Sequence, residues 1–191
     1  MKFPKHLPCP GLERTPMASR TTFQVGGKVR YLLEPTSEQE LADALGWIRT
    51  KKLDLFVMGR GSNLVVSDRG WAGAVVALAS SFAGMEWTES GATVLAGTRL
   101  TEFVTQVVGK GLAGIEKLAG IPGTVGGATA INAGAYGQEF GDRVETVRSM
   151  DRDGDTVDRT REECGFGYRT SVFQENEEIV VSATLAFEHG G

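Results

Sequence analysis

VRYLLEPTSEQELADALGWIRTKKLDLFVMGRGSNL, residues 29–64, is the stretch that decides the fold class. Val29 to Leu33 is short and apolar and is expected as a strand, with Glu34-Pro35-Thr36 ending it. Ser37 followed three residues later by Glu40 is a capping box, since each side chain can accept a backbone N–H that a helix start leaves unpaired. Leu41, Ala44, Leu45 and Ile48 then recur at helical spacing. Leu53 to Met58 reads as a second strand. A β-α-β unit is complete by Met58, and a glycine loop opens at once with Gly59.

The rest of the chain does not repeat this alternation. Residues 1–18 are proline-rich without periodicity and read as an irregular N-terminal arm. Ala74 to Leu78 reads as a strand, and the runs around Gly84 and Gly91 as an antiparallel pair. Leu100, Phe103, Val104 and Val107 keep helical spacing until Gly109 and Gly111 stop it. Val144 to Met150 returns to strand, Asp151-Arg152-Asp153-Gly154-Asp155 is a hairpin turn, and Ile179 to Phe187 is the last strand. Thr160-x-x-Glu163 is a second capping box, expected to start one short helical turn. Strands, helices and hairpins thus mix in an α+β fold with a break near residue 80. The expected segments are the arm 1–18, a first subdomain 19–79 and a second subdomain 80–191.

Composition narrows the function. The 191 residues are 41% hydrophobic and 23% charged. Those values suit a folded globular chain. A net charge of −4 without a long basic run argues against a nucleic-acid surface. No run reaches the roughly 18 apolar residues of a membrane helix, and the first residues lack a signal-peptide core. Cytoplasmic localisation is the expectation. Cys9 and Cys164 are far apart, and His6 and His189 lie near the two ends, so neither a metal site nor a Ser-His-Asp triad is expected. Cys164 is expected as a small buried residue.

The outlier is glycine, with 26 residues. Gly59-Arg60-Gly61-Ser62-Asn63-Leu64 can form a nest of backbone N–H groups for anionic oxygens. The same glycines also suit an ordinary tight turn after a strand. A Rossmann fingerprint would need glycine where Leu64 stands, and no Gly-Lys-Ser/Thr of a Walker A loop occurs. The second loop runs Gly120-Ile121-Pro122-Gly123-Thr124-Val125-Gly126-Gly127-Ala128 and on to Asn132-Ala133-Gly134-Ala135-Tyr136-Gly137. So long a glycine-rich stretch without secondary structure is rare unless functional. Two such loops suit a long ligand with phosphates in its middle, such as a dinucleotide.

These motifs resemble those of the UDP-N-acetylenolpyruvoylglucosamine reductase (MurB) family of peptidoglycan synthesis. The resemblance covers roughly residues 20–187. Arg20-Thr21-Thr22-Phe23-Gln24-Val25-Gly26-Gly27 resembles the family's N-terminal motif, with Thr21 where an Asn is common. The two glycine loops resemble its FAD loops. Cys164-Gly165-Phe166-Gly167-Tyr168-Arg169-Thr170-Ser171-Val172-Phe173 resembles its catalytic-arginine motif. The resemblance implies an FAD-binding domain of the vanillyl-alcohol-oxidase (PCMH) type, two α+β subdomains with FAD between them. It implies non-covalent FAD, since the first loop has no histidine, with NADPH as hydride donor and UDP-N-acetylglucosamine enolpyruvate as substrate. A monomer is expected. Cofactor contacts then fall on Gly59, Arg60, Gly61, Ser62, Asn63 and Leu64. In the second loop they fall on Gly120, Ile121, Pro122, Gly123, Thr124, Gly126, Gly127, Ala128, Asn132, Ala133, Gly134, Ala135 and Tyr136.

Arg169 is the implied catalytic residue and Tyr168 a substrate-binding one. A guanidinium is permanently charged and can fork onto a carboxylate where charge develops. Outside the motif, Arg169 would read as a surface ion pair and Tyr168 as core. The resemblance also implies a C-terminal substrate domain carrying a proton-donating serine and a catalytic glutamate. No stretch here matches either, so that domain is expected to be absent. The alternatives are a stand-alone flavin-binding module or the FAD subunit of another oxidoreductase.

Overall fold

The structure is a computed structural model that describes residue 4 and residues 6–189. The chain divides into two compact units, 1–82 and 83–191. In the first unit, β1 (Gly11–Pro16), β2 (Lys28–Leu33), β3 (Leu55–Met58) and β4 (Trp71–Ala77) form a sheet of order β1-β2-β4-β3. β2 and β3 both run parallel to β4, which enters between them, and β1 pairs antiparallel to β2. The β-α-β unit is therefore real, but its two strands are not neighbours. Helix α1 (Glu38–Thr50) makes the crossover and buries Leu41, Ala44, Leu45 and Ile48. The expected N-terminal cap is present: Glu40 N–H donates to Ser37 Oγ. The Glu40 carboxylate is taken instead by the backbone and hydroxyl of Thr36.

The arm expected over 1–18 is corrected in part. Residues 11–16 are an edge strand, followed by a short 3-10 turn over Met17–Arg20 that buries Met17 completely. Pro16 hid the strand, yet a proline at the end of an edge strand removes no ladder bond that matters. Met17 joins Val29, Leu32, Met58, Val75 and Ala77 in one apolar cluster, so this segment belongs to the first unit's core.

In the second unit, β5 (Met85–Trp87) and β6 (Gly91–Leu95) are the expected antiparallel pair. Helix α2 (Leu100–Gly109) follows, with Leu100, Phe103, Val104 and Val107 buried. Then come β7 (Leu112–Ala113), α3 (Val125–Ala130), and the short hairpin β8 (Gly134–Ala135) with β9 (Gln138–Glu139). The unit closes with β10 (Val144–Met150), β11 (Thr156–Thr160), the single turn α4 (Val172–Glu175), β12 (Ile179–Ala186) and β13 (Glu188–His189). Its main sheet is antiparallel, of order β11-β10-β12-β6-β5, and α3 packs on β12. Asp151 Oδ1 accepts from the N–H groups of Asp153, Gly154 and Asp155, which fixes the β10–β11 turn.

Two further expectations change. The stretch expected without secondary structure contains α3, and Gly126 and Gly127 lie in its first turn. Thr124 caps that helix through its hydroxyl. Thr160 and Glu163 do exchange capping-box bonds, but they close a turn rather than a helix.

Candidate functional site

The first glycine loop leaves the C-terminal end of β3, beside the C-terminal ends of the parallel β2 and β4. That end of a parallel sheet is where α/β folds place ligands. Gly61 takes φ +66°, and a Cβ there would lie 2.3 Å from the Arg20 carbonyl oxygen. Thr22 N–H donates to the Gly61 carbonyl at 3.1 Å. The glycine is thus required by the chain's own packing, because the loop closes on Arg20-Thr21-Thr22. Among the described residues, the N–H groups of Gly59, Arg60, Gly61, Asn63 and Leu64 have no protein acceptor, and Gly61 is buried. Buried backbone donors are seldom left unpaired, so Gly61 is the donor that most needs a partner, and an anionic ligand there could also take the more open neighbours. The Leu64 side chain packs against the apolar cluster, leaving only its backbone for a ligand.

A hollow of about 340 Å³ adjoins the loop, lined by Arg20, Thr21, Thr22, Glu34, Gly59 and Arg60 among others. Arg20 and Glu34 form a forked ion pair within it, at 2.6 and 3.3 Å. Sequence reasoning read Glu34 only as the end of a strand. Its pairing with Arg20 had no local signal, because the partner lies on a different segment. A larger hollow, of about 820 Å³, lies at the opposite ends of β2 and β4, and no predicted site residue lines it.

The second loop is more fully occupied than expected. Val125 N–H donates to Thr98 and Gly126 N–H to Ala96, so two donors at the start of α3 tie the helix to the end of β6. A Cβ on Gly126 would meet Ala96 Cβ at 2.7 Å, so this glycine permits close helix–strand packing. Gly127 differs. It is exposed, and a Cβ there would meet nothing closer than its own cap, Thr124 Oγ1, at 3.6 Å. Gly127 N–H reaches that hydroxyl only at 3.4 Å, a weak bond. Gly120 is likewise open, Gly123 takes φ +130°, and the N–H groups of Gly123 and Thr124 have no protein acceptor among the described residues. Ile121 N–H is held by the Leu118 carbonyl, and Pro122 is exposed. Ala128 and Ala133 are core residues, at 5% and 1% exposure.

Asn132 is buried, and both its amide group and its carbonyl oxygen are bonded. Its Nδ2 donates to Glu139 Oε2 at 2.7 Å and to the Gly167 carbonyl at 2.9 Å, while its Oδ1 accepts from Gly141 N–H at 2.9 Å. Its side chain therefore braces the protein. The hairpin beyond it is clamped from the other side. Glu116 accepts from Gly114 N–H and Gln138 Nε2, and Lys117 donates through its backbone to Gln138 and through Nζ to the Tyr136 carbonyl. The Gly114 N–H, then its own backbone and Gln138, hold the Glu116 carboxyl down at about 2. Tyr136, at φ +53°, stands exposed at the tip, next to Ala135.

The arginine motif is brought onto this loop. Gly167 and Thr170 exchange both backbone bonds, so Tyr168 and Arg169 form the two-residue tip of a tight turn. Arg169 takes φ +59°. That left-handed conformation costs a residue with a Cβ roughly 1–3 kcal/mol. Its Nη2 donates to the Gly134 carbonyl at 2.8 Å, and its guanidinium lies 5.9 Å from the Tyr168 ring centroid. Tyr168 is exposed, so it is not core. Arg169 has no ion-pair partner among the described residues. Ser171 Oγ donates to the Ala130 carbonyl at the end of α3. Cys164 is fully buried, and burial pushes its thiol up to about 11, so it is no nucleophile. No group of His, Cys, Asp or Glu among the described residues could hold a metal ion.

Loops of unpaired backbone donors and open glycines fit a phosphate-bearing cofactor, and comparison with known proteins identifies which kind. The chain belongs to the FAD binding domain family, whose model matches residues 29–160. It is 37% identical over 175 residues to the UDP-N-acetylenolpyruvoylglucosamine reductase of Clostridioides difficile, covering 92% of this chain and 58% of that one. The crystal structure of the reductase (MurB) from Thermus caldophilus superposes with a TM-score of 0.79 at 35% identity, covering 94% of this chain and 63% of that one. The fold is shared more widely: 6-hydroxy-D-nicotine oxidase of Arthrobacter nicotinovorans matches with a TM-score of 0.74 at 14% identity, over 99% of this chain and 44% of the other. The chain spans about three-fifths of the length of the curated relatives it matches. No helix among the described residues is long and apolar enough to cross a membrane.

Proposed function

We propose that this chain is the FAD-binding part of a UDP-N-acetylenolpyruvoylglucosamine reductase, acting with NADPH on UDP-N-acetylglucosamine enolpyruvate. The observation that carries the reading is the Arg169 turn. Arg169 is a non-glycine residue held at positive φ and bonded to the second glycine loop. Strain of this kind clusters at functional sites, and a guanidinium without a carboxylate partner is poised for an anion from outside the chain. In this reading the backbone donors of Gly59, Arg60, Gly61, Asn63 and Leu64 form one non-covalent FAD loop. Those of Gly123 and Thr124, with the room left at Gly120 and Gly127, form the other. The protein works in the cytoplasm as a monomer.

Bound FAD supplies hydride exchange between NADPH and the enolpyruvyl double bond. The chain's own residues supply orientation and charge. Reduction of the enolpyruvyl ether at C3 builds negative charge at C2 and its carboxylate. Arg169 meets that carboxylate with the guanidinium nitrogens not used by Gly134, and a preorganised charge gains most in the transition state. Tyr168, exposed beside it, donates its hydroxyl to the substrate. The test is the visible spectrum of the purified chain after FAD is added and excess removed, followed by NADPH and then substrate. Flavin bands that bleach with NADPH are expected. A colourless protein after reconstitution would overturn the cofactor assignment, and bleaching without reoxidation by substrate in a protein carrying the substrate domain would overturn the activity.

A further inference from the structure

We infer that Asn132 is a positioning residue for Arg169, acting through the base of the Gly167–Thr170 turn. The inference rests on the reading of Arg169 given above. The Gly167 carbonyl accepts from Thr170 N–H and, from outside the turn, from Asn132 Nδ2 at 2.9 Å. The guanidinium at the turn's tip bonds to Gly134, two residues after Asn132. Base and tip of the strained turn are therefore both tied to one short segment, 132–134. That segment is itself fixed. Asn132 is 1% exposed at φ +43°, its Oδ1 takes Gly141 N–H, and its other Nδ2 bond goes to Glu139, whose backbone N–H is held by Asp142.

Gly141 makes the brace rigid. A Cβ there would lie 2.7 Å from the Phe166 ring, so the ring of the arginine motif sits close against this glycine. Arg161 Nε donates to the Gly141 carbonyl at 2.7 Å. The segments 132–141 and 161–170 are thus joined by side-chain-to-backbone bonds from Asn132, Arg161 and Arg169 and by one ring contact. Among these, the bond that reaches the base of the turn comes from Asn132. A side chain at the tip of a two-residue turn has few contacts of its own, and a left-handed residue relaxes toward negative φ unless the surroundings hold it. Asparagine suits the post, because it adopts positive φ readily and its amide donates two bonds while its carbonyl accepts one.

The test separates the bond to Gly167 from the bond to Glu139. Asn132→Asp alone places a carboxylate against both Glu139 and the Gly167 carbonyl. Asn132→Asp with Glu139→Gln restores a donor–acceptor pair between 132 and 139 and keeps the acceptor for Gly141 N–H. At Gly167 it replaces the bond by a carboxylate–carbonyl repulsion, so the perturbation falls on the base of the turn. The variants are made in a protein carrying the substrate domain and loaded with saturating FAD, and flavin reduction by NADPH and reoxidation by substrate are timed separately, with Arg169→Ala alongside. In the double variant, reoxidation is expected to fall at least tenfold more than reduction, the skew that Arg169→Ala shows more strongly. The Arg169 Nε–H signal in nitrogen NMR becomes mobile in the double variant while the backbone of 132–141 stays ordered. If Arg169→Ala is skewed but the double variant is not, the inference is overturned and the reading of Arg169 stands. If Arg169→Ala is not skewed, the reading of Arg169 falls and the inference with it. Should the variants fail to fold, the wild-type Nε–H signal decides: a guanidinium as mobile as a surface arginine overturns the inference.

Discussion

Replacing Gly127 with alanine separates two reasons for a glycine. At this position φ is ordinary and a Cβ would meet nothing closer than 3.6 Å, so the folded chain has room for the methyl group. Gly127 lies in the first turn of α3. In a helix alanine is favoured over glycine by roughly 0.5–1 kcal/mol. The variant should therefore melt at an equal or higher temperature, by a few degrees at about 2–4 °C per kcal/mol for a chain of this size. FAD binding should move the other way. A methyl group over the weakly bonded Gly127 N–H keeps a phosphate oxygen from the backbone, and a lost hydrogen bond to a charged group costs about 1.5–3 kcal/mol. That is about a ten- to hundredfold weaker Kd. Thermal unfolding without FAD and flavin-fluorescence titration with it measure the two effects. Unchanged Kd in a stable variant would refute the assignment of this opening to the cofactor. A destabilised apoprotein would refute the claim that the opening is empty of protein.

The neighbouring glycines should behave differently. Gly126→Ala brings a Cβ to 2.7 Å from Ala96 Cβ. Overpacking of this kind costs about 1–3 kcal/mol, seen as a lower melting temperature before FAD is added. Gly61→Ala meets the Arg20 carbonyl at 2.3 Å at φ +66°. It should open the first loop and weaken both stability and FAD binding, read by the same two measurements. In a protein carrying the substrate domain, Arg169→Ala should leave FAD bound and slow substrate-driven flavin reoxidation by about a hundred- to a thousandfold, measured by stopped flow. Acid should strike the second unit through Glu178. This carboxylate is 6% exposed and is held at about 2, chiefly by Arg159 and then by Ser149 and Asn176. A folded value below the ordinary 4.5 gives stability that is complete above pH 4.5 and lost as pH falls toward 2, on the order of 3 kcal/mol. Glu178→Gln should flatten stability over that range while lowering it at neutral pH, as followed by denaturant titrations at several pH values.

The features legible in the sequence were those in which a local pattern and the tertiary fold agree. Ser37 and Glu40 announced α1, the spacing of Leu100, Phe103, Val104 and Val107 announced α2, and Asp151 announced its turn, because each acts on neighbours within a few residues. What stayed hidden depends on partners distant in sequence. The strand at residues 11–16 rests on its pairing with β2, and at Gly11 the backbone comes so close that a Cβ would sit 2.6 Å from the Leu32 carbonyl oxygen; no pattern within the segment says so. The glycines illustrate the limit most sharply. Gly61, Gly126 and Gly127 look alike in the sequence, and all suit a phosphate cradle. Around Gly61 the missing side chain makes way for Arg20, around Gly126 for Ala96, and around Gly127 for nothing closer than the Thr124 hydroxyl at 3.6 Å. Asn132 shows the converse. Its place among the glycines suggested a ligand contact, yet all three of its side-chain bonds end on the protein. A glycine-rich loop that binds a cofactor must also be folded, and most of its unusual residues serve that prior need. The positions left over, with open space or unpaired donors, mark where a ligand is accommodated. Only the three-dimensional structure separates the two groups.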